Sequence, residues 1–255
     1  MRELSLFTGA GGGILGTILL GWKVVGCVEW DDYCQRLLRQ RMEDGLIETA
    51  PIFSDIRAFI SEGYAESYKG MVDVITAGFP CPAFSRAGKS QGFKQDELMY
   101  DAIKGVQIIQ PSFILWENVE GFTRWKDALR QEIENLGYEY FDAILNSLDF
   151  GVAQNRPRYF MLCVSRGSVL GSQYLRGVQG RKDKGVYGLQ PMPKNTQGRW
   201  TPTIHTKEEW RNIAAERGIC RKADGVAHRM DRLRAIGNGQ VPRVVATAWE
   251  LLNNS

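Results

Sequence analysis

Short apolar runs closed by glycine, proline or an acid recur through the first 165 residues, with stretches of helical period between them. Leu4-Ser5-Leu6-Phe7 reads as a strand entering a glycine-rich turn from Thr8 to Gly13, after which a helix starts over 14–20. Lys23 to Val28 is a second strand closed by Glu29-Trp30, and Asp31 caps a helix that runs to Arg41. A third strand, 52–56, follows Pro51 and carries Asp55 at its end. Met71 to Ala77, rich in β-branched residues, has the composition of a buried parallel strand and empties into Gly78-Phe79-Pro80-Cys81. A helix over 98–109 precedes a fifth strand, 113–116, which ends in Glu117-Asn118-Val119. Beyond a helix over 125–136, strands 138–145 and 158–164 are joined by a link short enough to make them a hairpin. A last helix spans 243–252 and is expected to fold back on the first domain. Strands alternating with helices give an α/β domain on a mostly parallel sheet.

Composition narrows the class. A chain of 255 residues with 44% hydrophobic and 24% charged residues is an ordinary globular domain, or one domain with a small lobe. Five cysteines without C-x-x-C spacing, and two histidines, argue against a disulfide framework and a zinc site. A reducing, cytoplasmic setting is expected, with no signal peptide and no membrane span. The net charge of +3 is uneven: residues 166–224 hold 12 Lys/Arg against 5 Asp/Glu, and the remainder is net −4. That segment is also rich in Gly, Pro and aromatics, the footprint of a polyanion partner carried on an irregular lobe. The expected division is therefore 1–165, 166–224 and 225–255.

The candidate chemistry lies where strands end. In open α/β sheets, ligands bind outside the carboxyl ends of the strands. Gly11, Gly13 and Gly16 fit G-x-G-x-x-G, a turn that lets a nucleotide-like ligand approach the backbone. Glu29 is placed to accept from a ribose diol, Trp30 is either an adenine platform or a core residue, and Asp55 adds an acid at the same edge. Cys81, between two prolines and ahead of a basic, glycine-hinged stretch, is a candidate nucleophile; a buried structural thiol is the alternative. Glu117 sits one strand over, as a partner acid or a mere helix cap. Gln154, Arg156 and Arg158 alternate, so in extended chain they share a face, though exposed arginines on a hairpin are commonly inert.

Taken in order, Phe7-x-Gly9-x-Gly11-Gly12, Glu29-Trp30, Asp55-Ile56, Gly78-Phe79-Pro80-Cys81, Glu117-Asn118-Val119, Gln154-x-Arg156-x-Arg158 and Gly237-Asn238 resemble the motifs of the cytosine-C5 DNA methyltransferases, of bacterial or phage type. The resemblance implies a doubly wound, Rossmann-like sheet with a short target-recognition lobe, no metal, and S-adenosylmethionine as donor, leaving as S-adenosylhomocysteine. It also implies a monomer acting on double-stranded DNA, as in restriction-modification. It assigns Cys81, Glu117, Arg156 and Arg158 to catalysis. Phe7, Gly9, Gly11, Gly12, Glu29, Trp30, Asp55, Ile56, Pro80, Leu98 and Asn238 fall to the donor, and Ser85, Arg86, Lys89 and Gln154 to DNA. Three features depart from the family: Pro82 stands where Gln is usual, the recognition region is short, and the motif that normally lies between it and the final Gly-Asn is not evident.

Two other readings fit part of the pattern. The same motifs serve a branch that methylates cytosine in RNA. A nicotinamide-dependent oxidoreductase would explain the glycine turn and Glu29, but gives Cys81 and Q-x-R-x-R no task.

Overall fold

Alternation along the first strand sets the layers. β1 (Arg2–Leu6) turns Leu4 and Leu6 to one face and Glu3 and Ser5 to the other, and all four are buried, so both faces of the sheet need cover. The computed structural model describes residues 1–80, 97–150, 155–178 and 239–253. Seven strands stand in the order β3-β2-β1-β4-β5-β7-β6. The others are β2 (Lys23–Val28), β3 (Ile52–Phe53), β4 (Val74–Ala77), β5 (Phe113–Val119), β6 (Tyr138–Asn146) and β7 (Pro157–Ser165). Strands β1 to β5 pair in parallel, and β7 runs antiparallel to both its neighbours, β5 and β6. The strand order reverses between β1 and β4, which is where a doubly wound sheet opens a crevice.

Helices α3 (Ile56–Ser61), α4 (Tyr64–Ser67), α5 (Glu97–Ile109) and α6 (Lys126–Asn135) cover the face of Leu4 and Leu6. The opposite face takes α1 (Gly12–Ile18) and α2 (Asp32–Glu43) at β2. It also takes α7 (Val169–Val178) and α8 (Pro242–Asn253) over β5, β6 and β7. Pro242 opens α8 at the first helical position, where its missing N–H costs nothing. The final helix lies against α1. It packs so tightly on α1 that a Cβ on Gly16 would lie 2.5 Å from the Pro242 carbonyl oxygen, and Trp249 meets Trp22 edge-on at 4.7 Å.

Three elements differ from the sequence expectation. The third strand is two residues long, because the Asp55 carboxylate accepts from the Arg57 amide at 2.8 Å and starts α3. The fifth strand runs on through Glu117 to Val119, since β7 keeps pairing with it after β4 has ended opposite Trp116. And the first part of the basic segment is the helix α7 rather than irregular chain. Tyr174 meets Phe113 edge-on at 6.0 Å and donates its hydroxyl to the Leu252 carbonyl at 2.8 Å. Residues 179–238, which hold most of that segment, lie outside the described residues. Among the described residues no helix is long and apolar enough to cross a membrane.

Glu3 is 1% exposed in the middle of β1, and its carboxyl accepts from the Thr17 hydroxyl and from the Thr76 hydroxyl at 2.6 Å. Burial pushes its pKa up, with the two hydroxyls opposing. A raised folded pKa stabilises the fold fully below the unfolded value near ~4.3, and that stabilisation is lost as pH rises through the folded value. Glu3→Gln removes this loss. The variant should gain on the wild type, in urea midpoints, as pH rises above the unfolded value; a difference that stays constant from there to neutral pH would mean that the fold does not raise the Glu3 pKa.

Candidate active site

Two clusters meet at the switch point. The first is built on the turn after β1. Phe7 and Gly9 both take left-handed backbone (φ 55° and 58°), and Gly11 (φ 82°) caps α1. A non-glycine residue in that region costs of order 1 kcal/mol and clusters at binding sites. Glu29 fixes the turn: its Oε2 accepts from the Gly9 amide at 2.5 Å and its Oε1 from the Asp31 amide at 2.8 Å. Its backbone carbonyl accepts from Gln35 Nε2 at 2.7 Å. Glu29 is 8% exposed; burial pushes its pKa up, and the backbone N–H groups pull the other way. A carboxylate has about four acceptor positions, and these two bonds leave capacity for a ligand's hydroxyls. Trp30, beside it, is 75% exposed, which excludes the core role left open by the sequence. The Arg41 guanidinium donates to the Ala10 carbonyl and holds the turn from α2.

Of the other residues expected around a donor, Asp55 caps α3 and Ile56 is buried beneath it. Gly12 opens α1, Pro80 is exposed, and Leu98 packs beside the core that holds Phe79.

The second cluster surrounds Glu117. Its carboxyl, 9% exposed, lies on the face of β5 that α8 covers; Oε1 pairs with Arg158 Nε at 3.0 Å and Oε2 accepts from Gln240 Nε2 at 3.1 Å. Burial pushes the Glu117 pKa up, while Gln240, Arg158 and Arg156 act downward. Arg156 shares the pocket, and its Nη2 donates to the Gly239 carbonyl at 2.8 Å, tying the C-terminal segment to the approach of β7. Burial and the neighbouring Arg158 lower the Arg156 pKa.

Gly78 and Phe79, which lead to Cys81, are part of this cluster. A Cβ on Gly78 would stand 3.1 Å from Glu117 Oε2, so only glycine leaves the carboxyl its room. The next side chain, Phe79, turns to the other face and meets Trp116 and Phe122 edge-on at 5.8 and 5.3 Å. Its carbonyl accepts from Asn118 Nδ2 at 3.2 Å. The strand neighbour of Glu117 thus pins the segment that leads to Cys81. Cys81 itself lies outside the described residues, as do Ser85, Arg86, Lys89, Gln154 and Asn238. The described thiols are core groups: burial pushes Cys27 and Cys34 up to about 12 and raises Cys163 as well. No cluster of His, Cys, Asp or Glu able to hold a metal occurs among the described residues.

Sequence reasoning missed Gln240 and the part played by Asn118. The available signal for Gln240 was a lone amide between Gly239 and the Pro242 that starts α8.

Residues 1–228 match the family model described as C-5 cytosine-specific DNA methylase. The Type II methyltransferase M.FnuDI of Fusobacterium nucleatum is 36% identical over 167 residues, 63% of this chain and 46% of that protein. M.HhaI of Haemophilus parahaemolyticus is 29% identical over 170 residues, 64% of this chain and 49% of that protein. The chain spans about half or less of the length of these relatives. Among solved structures, the S. pombe Dnmt2 methyltransferase shares the fold, with a TM-score of 0.51 at 20% identity over 66% of this chain and 52% of that one.

Asn118→Ala would leave the Phe79 carbonyl without its buried donor. A loss of about 1–3 kcal/mol in urea unfolding is expected; a change below about 0.5 kcal/mol would mean that the bond does not hold Phe79.

Proposed function

The chain belongs to the C-5 cytosine-specific DNA methylase family, and on that premise we propose that it methylates carbon 5 of cytosine in double-stranded DNA, acting as a cytoplasmic monomer. The observation that carries the reading is the buried Glu117 carboxyl, held beside the Gly78-Phe79-Pro80 segment that leads to Cys81 and across the crevice from a glycine turn pinned by Glu29.

The donor fits the first cluster on two grounds. Glu29 retains acceptor capacity beside the turn, and Trp30 offers an apolar ring to water at the tip of β2. Phe7, Gly9, Gly11, Gly12, Asp55, Ile56, Pro80, Leu98 and Asn238 would complete that site. Bound there, S-adenosylmethionine supplies an electrophilic methyl group. Carbon 5 of cytosine is too weak a nucleophile to take it directly, and covalent catalysis splits the step.

The Cys81 thiolate adds to carbon 6, and the electron pair of the C5–C6 double bond moves toward N3. Glu117 donates a hydrogen bond or proton at N3 and draws off the charge that develops there. Carbon 5, now enamine-like, accepts the methyl; its proton then leaves, the C6–S bond breaks and the aromatic base is restored. Free thiols with a pKa near ~8.5 are mostly protonated at neutral pH, so the Arg158 and Arg156 charges favour the thiolate and hold the base carbonyl or a nearby phosphate. A stacked base is out of reach of this chemistry, so the cytosine flips out, with Ser85, Arg86, Lys89 and Gln154 on the DNA and the basic segment reading the sequence.

Incubation with labelled donor and either duplex DNA or tRNA tests the substrate. Label is expected in DNA; label in tRNA alone would move the reaction to RNA. Cys81→Ser should cut the rate by at least about 10³-fold and abolish covalent trapping on fluorinated cytosine DNA, and a normal rate in that variant removes Cys81 from its role. Glu29→Ala should weaken donor binding by about tenfold or more, in line with lost hydrogen bonds to a charged acceptor; unchanged affinity would remove Glu29 from the donor site.

A further inference from the structure

We propose that Gln240 is a positioning residue of the reaction: its side-chain amide orients the Glu117 carboxyl and, through the same side chain, joins that carboxyl to the glycine turn. The inference rests on the methylation reading for its kinetic consequence and on geometry alone for the contact.

Gln240 occupies the one point where three loops converge. Its Nε2 donates to Glu117 Oε2 at 3.1 Å and would lie 2.8 Å from a Cβ on Gly78. Its amide oxygen lies over Gly13 and its backbone carbonyl over Gly12, so closely that a Cβ on either glycine would collide with it. Three glycines from two loops are therefore small for one reason: they leave room for this residue. The segment is held from the other side by Arg156, whose guanidinium takes the Gly239 carbonyl, and by the packing of α8 that follows.

The groups that face Glu117 explain why an uncharged donor belongs there. Arg158 and Arg156 approach from β7 and its entry, Gly78 from the end of β4, and Gln240 from the C-terminal segment, with Phe160 and Val244 closing the pocket. Arg158 already supplies a full positive charge to Oε1. A second cation on Oε2 would hold the carboxyl ionised and oppose its retention of a proton for N3. An amide fixes the direction of the carboxyl with a partial charge only. Burial favours the neutral acid, and the Gln240 bond is the first of the groups opposing it.

Direct titration of Glu117 tests the contact without reference to activity. The full chain is labelled with ¹³C-glutamate, and the Glu117 carboxyl is assigned by comparison with Glu117→Gln. Gln240→Met keeps the volume and removes the donor, so the Glu117 midpoint should rise by about one pH unit, the size of a hydrogen bond to a charged group. Gln240→Glu keeps the shape and adds a like charge, so the upper step of the coupled pair should lie higher still. In both variants the alkaline limb of kcat/KM for DNA methylation should move the same way, a change that mere loosening of the fold does not produce. Midpoints unchanged in both variants would overturn the proposal. So would limbs that stay in place while kcat falls. If the wild type methylates no cytosine, the functional reading fails, and the titration still decides the amide–carboxyl contact.

Discussion

A carboxyl group buried on the covered face of a sheet is the constraint to which the rest of this site answers. Taking an isolated carboxylate out of water is costly, and in practice such a group either becomes neutral or gathers donors. Glu117 has gathered two, one per oxygen, from chain segments 41 and 123 residues away in sequence. Neither donor reaches it unless the fold closes: Arg158 needs β7 beside β5, and Gln240 needs α8 seated on α1. The seating of α8 on α1 is in this sense part of the candidate site. It also accounts for glycine at 12, 13 and 78, where the backbone must pass the incoming residue without a side chain in between.

The two buried acids at this edge are handled in opposite ways. Glu29 is fixed by backbone N–H groups, which belong to the turn it organises and cannot be removed by a side-chain change. Glu117 is fixed by side chains alone. The backbone donors act against the burial that raises the Glu29 pKa, and the acceptor capacity they leave suits hydroxyls. A guanidinium and an amide oppose the burial that raises the Glu117 pKa, and each of them can be removed by a single substitution.

Much of this was legible because the code for it is local. Strand and helix period, the Asp31 cap, and acids at strand ends are read within a few residues, and the structure has Glu29 and Glu117 where the pattern put them, on one sheet edge. Asp55 was read as a strand-end acid because a carboxylate that caps its own next helix has the same sequence signature as one that faces a ligand. Gln240 was invisible for a different reason. Its meaning lies in contacts with Gly12, Gly78 and Glu117, none of which neighbours it in the chain, and a polar residue ahead of a helix is ordinary. The insertion of β7 between β5 and β6 was likewise unreadable: a hairpin signal fixes that two strands pair, and says nothing about which of them takes the interior place.

That insertion decides the electrostatics. Parallel strands deliver their last residues to the crevice, so β1, β2, β4 and β5 bring a glycine turn, two acids and the segment that leads to Cys81. A strand running the other way delivers its first residues there, and β7 brings Arg156 and Arg158. Phe160 stands directly opposite Glu117, so Arg158, two residues earlier, is its diagonal neighbour on the same face, within reach of a long side chain. A register slip of one residue would turn Arg158 to the opposite face, where Tyr159 is now packed against Phe122, and leave the carboxyl without its charge partner. The run from Tyr159 to Val164 is buried on both faces and paired on both edges, with β5 and with β6, so the sheet and its core hold Arg158 in place together with the ion pair itself.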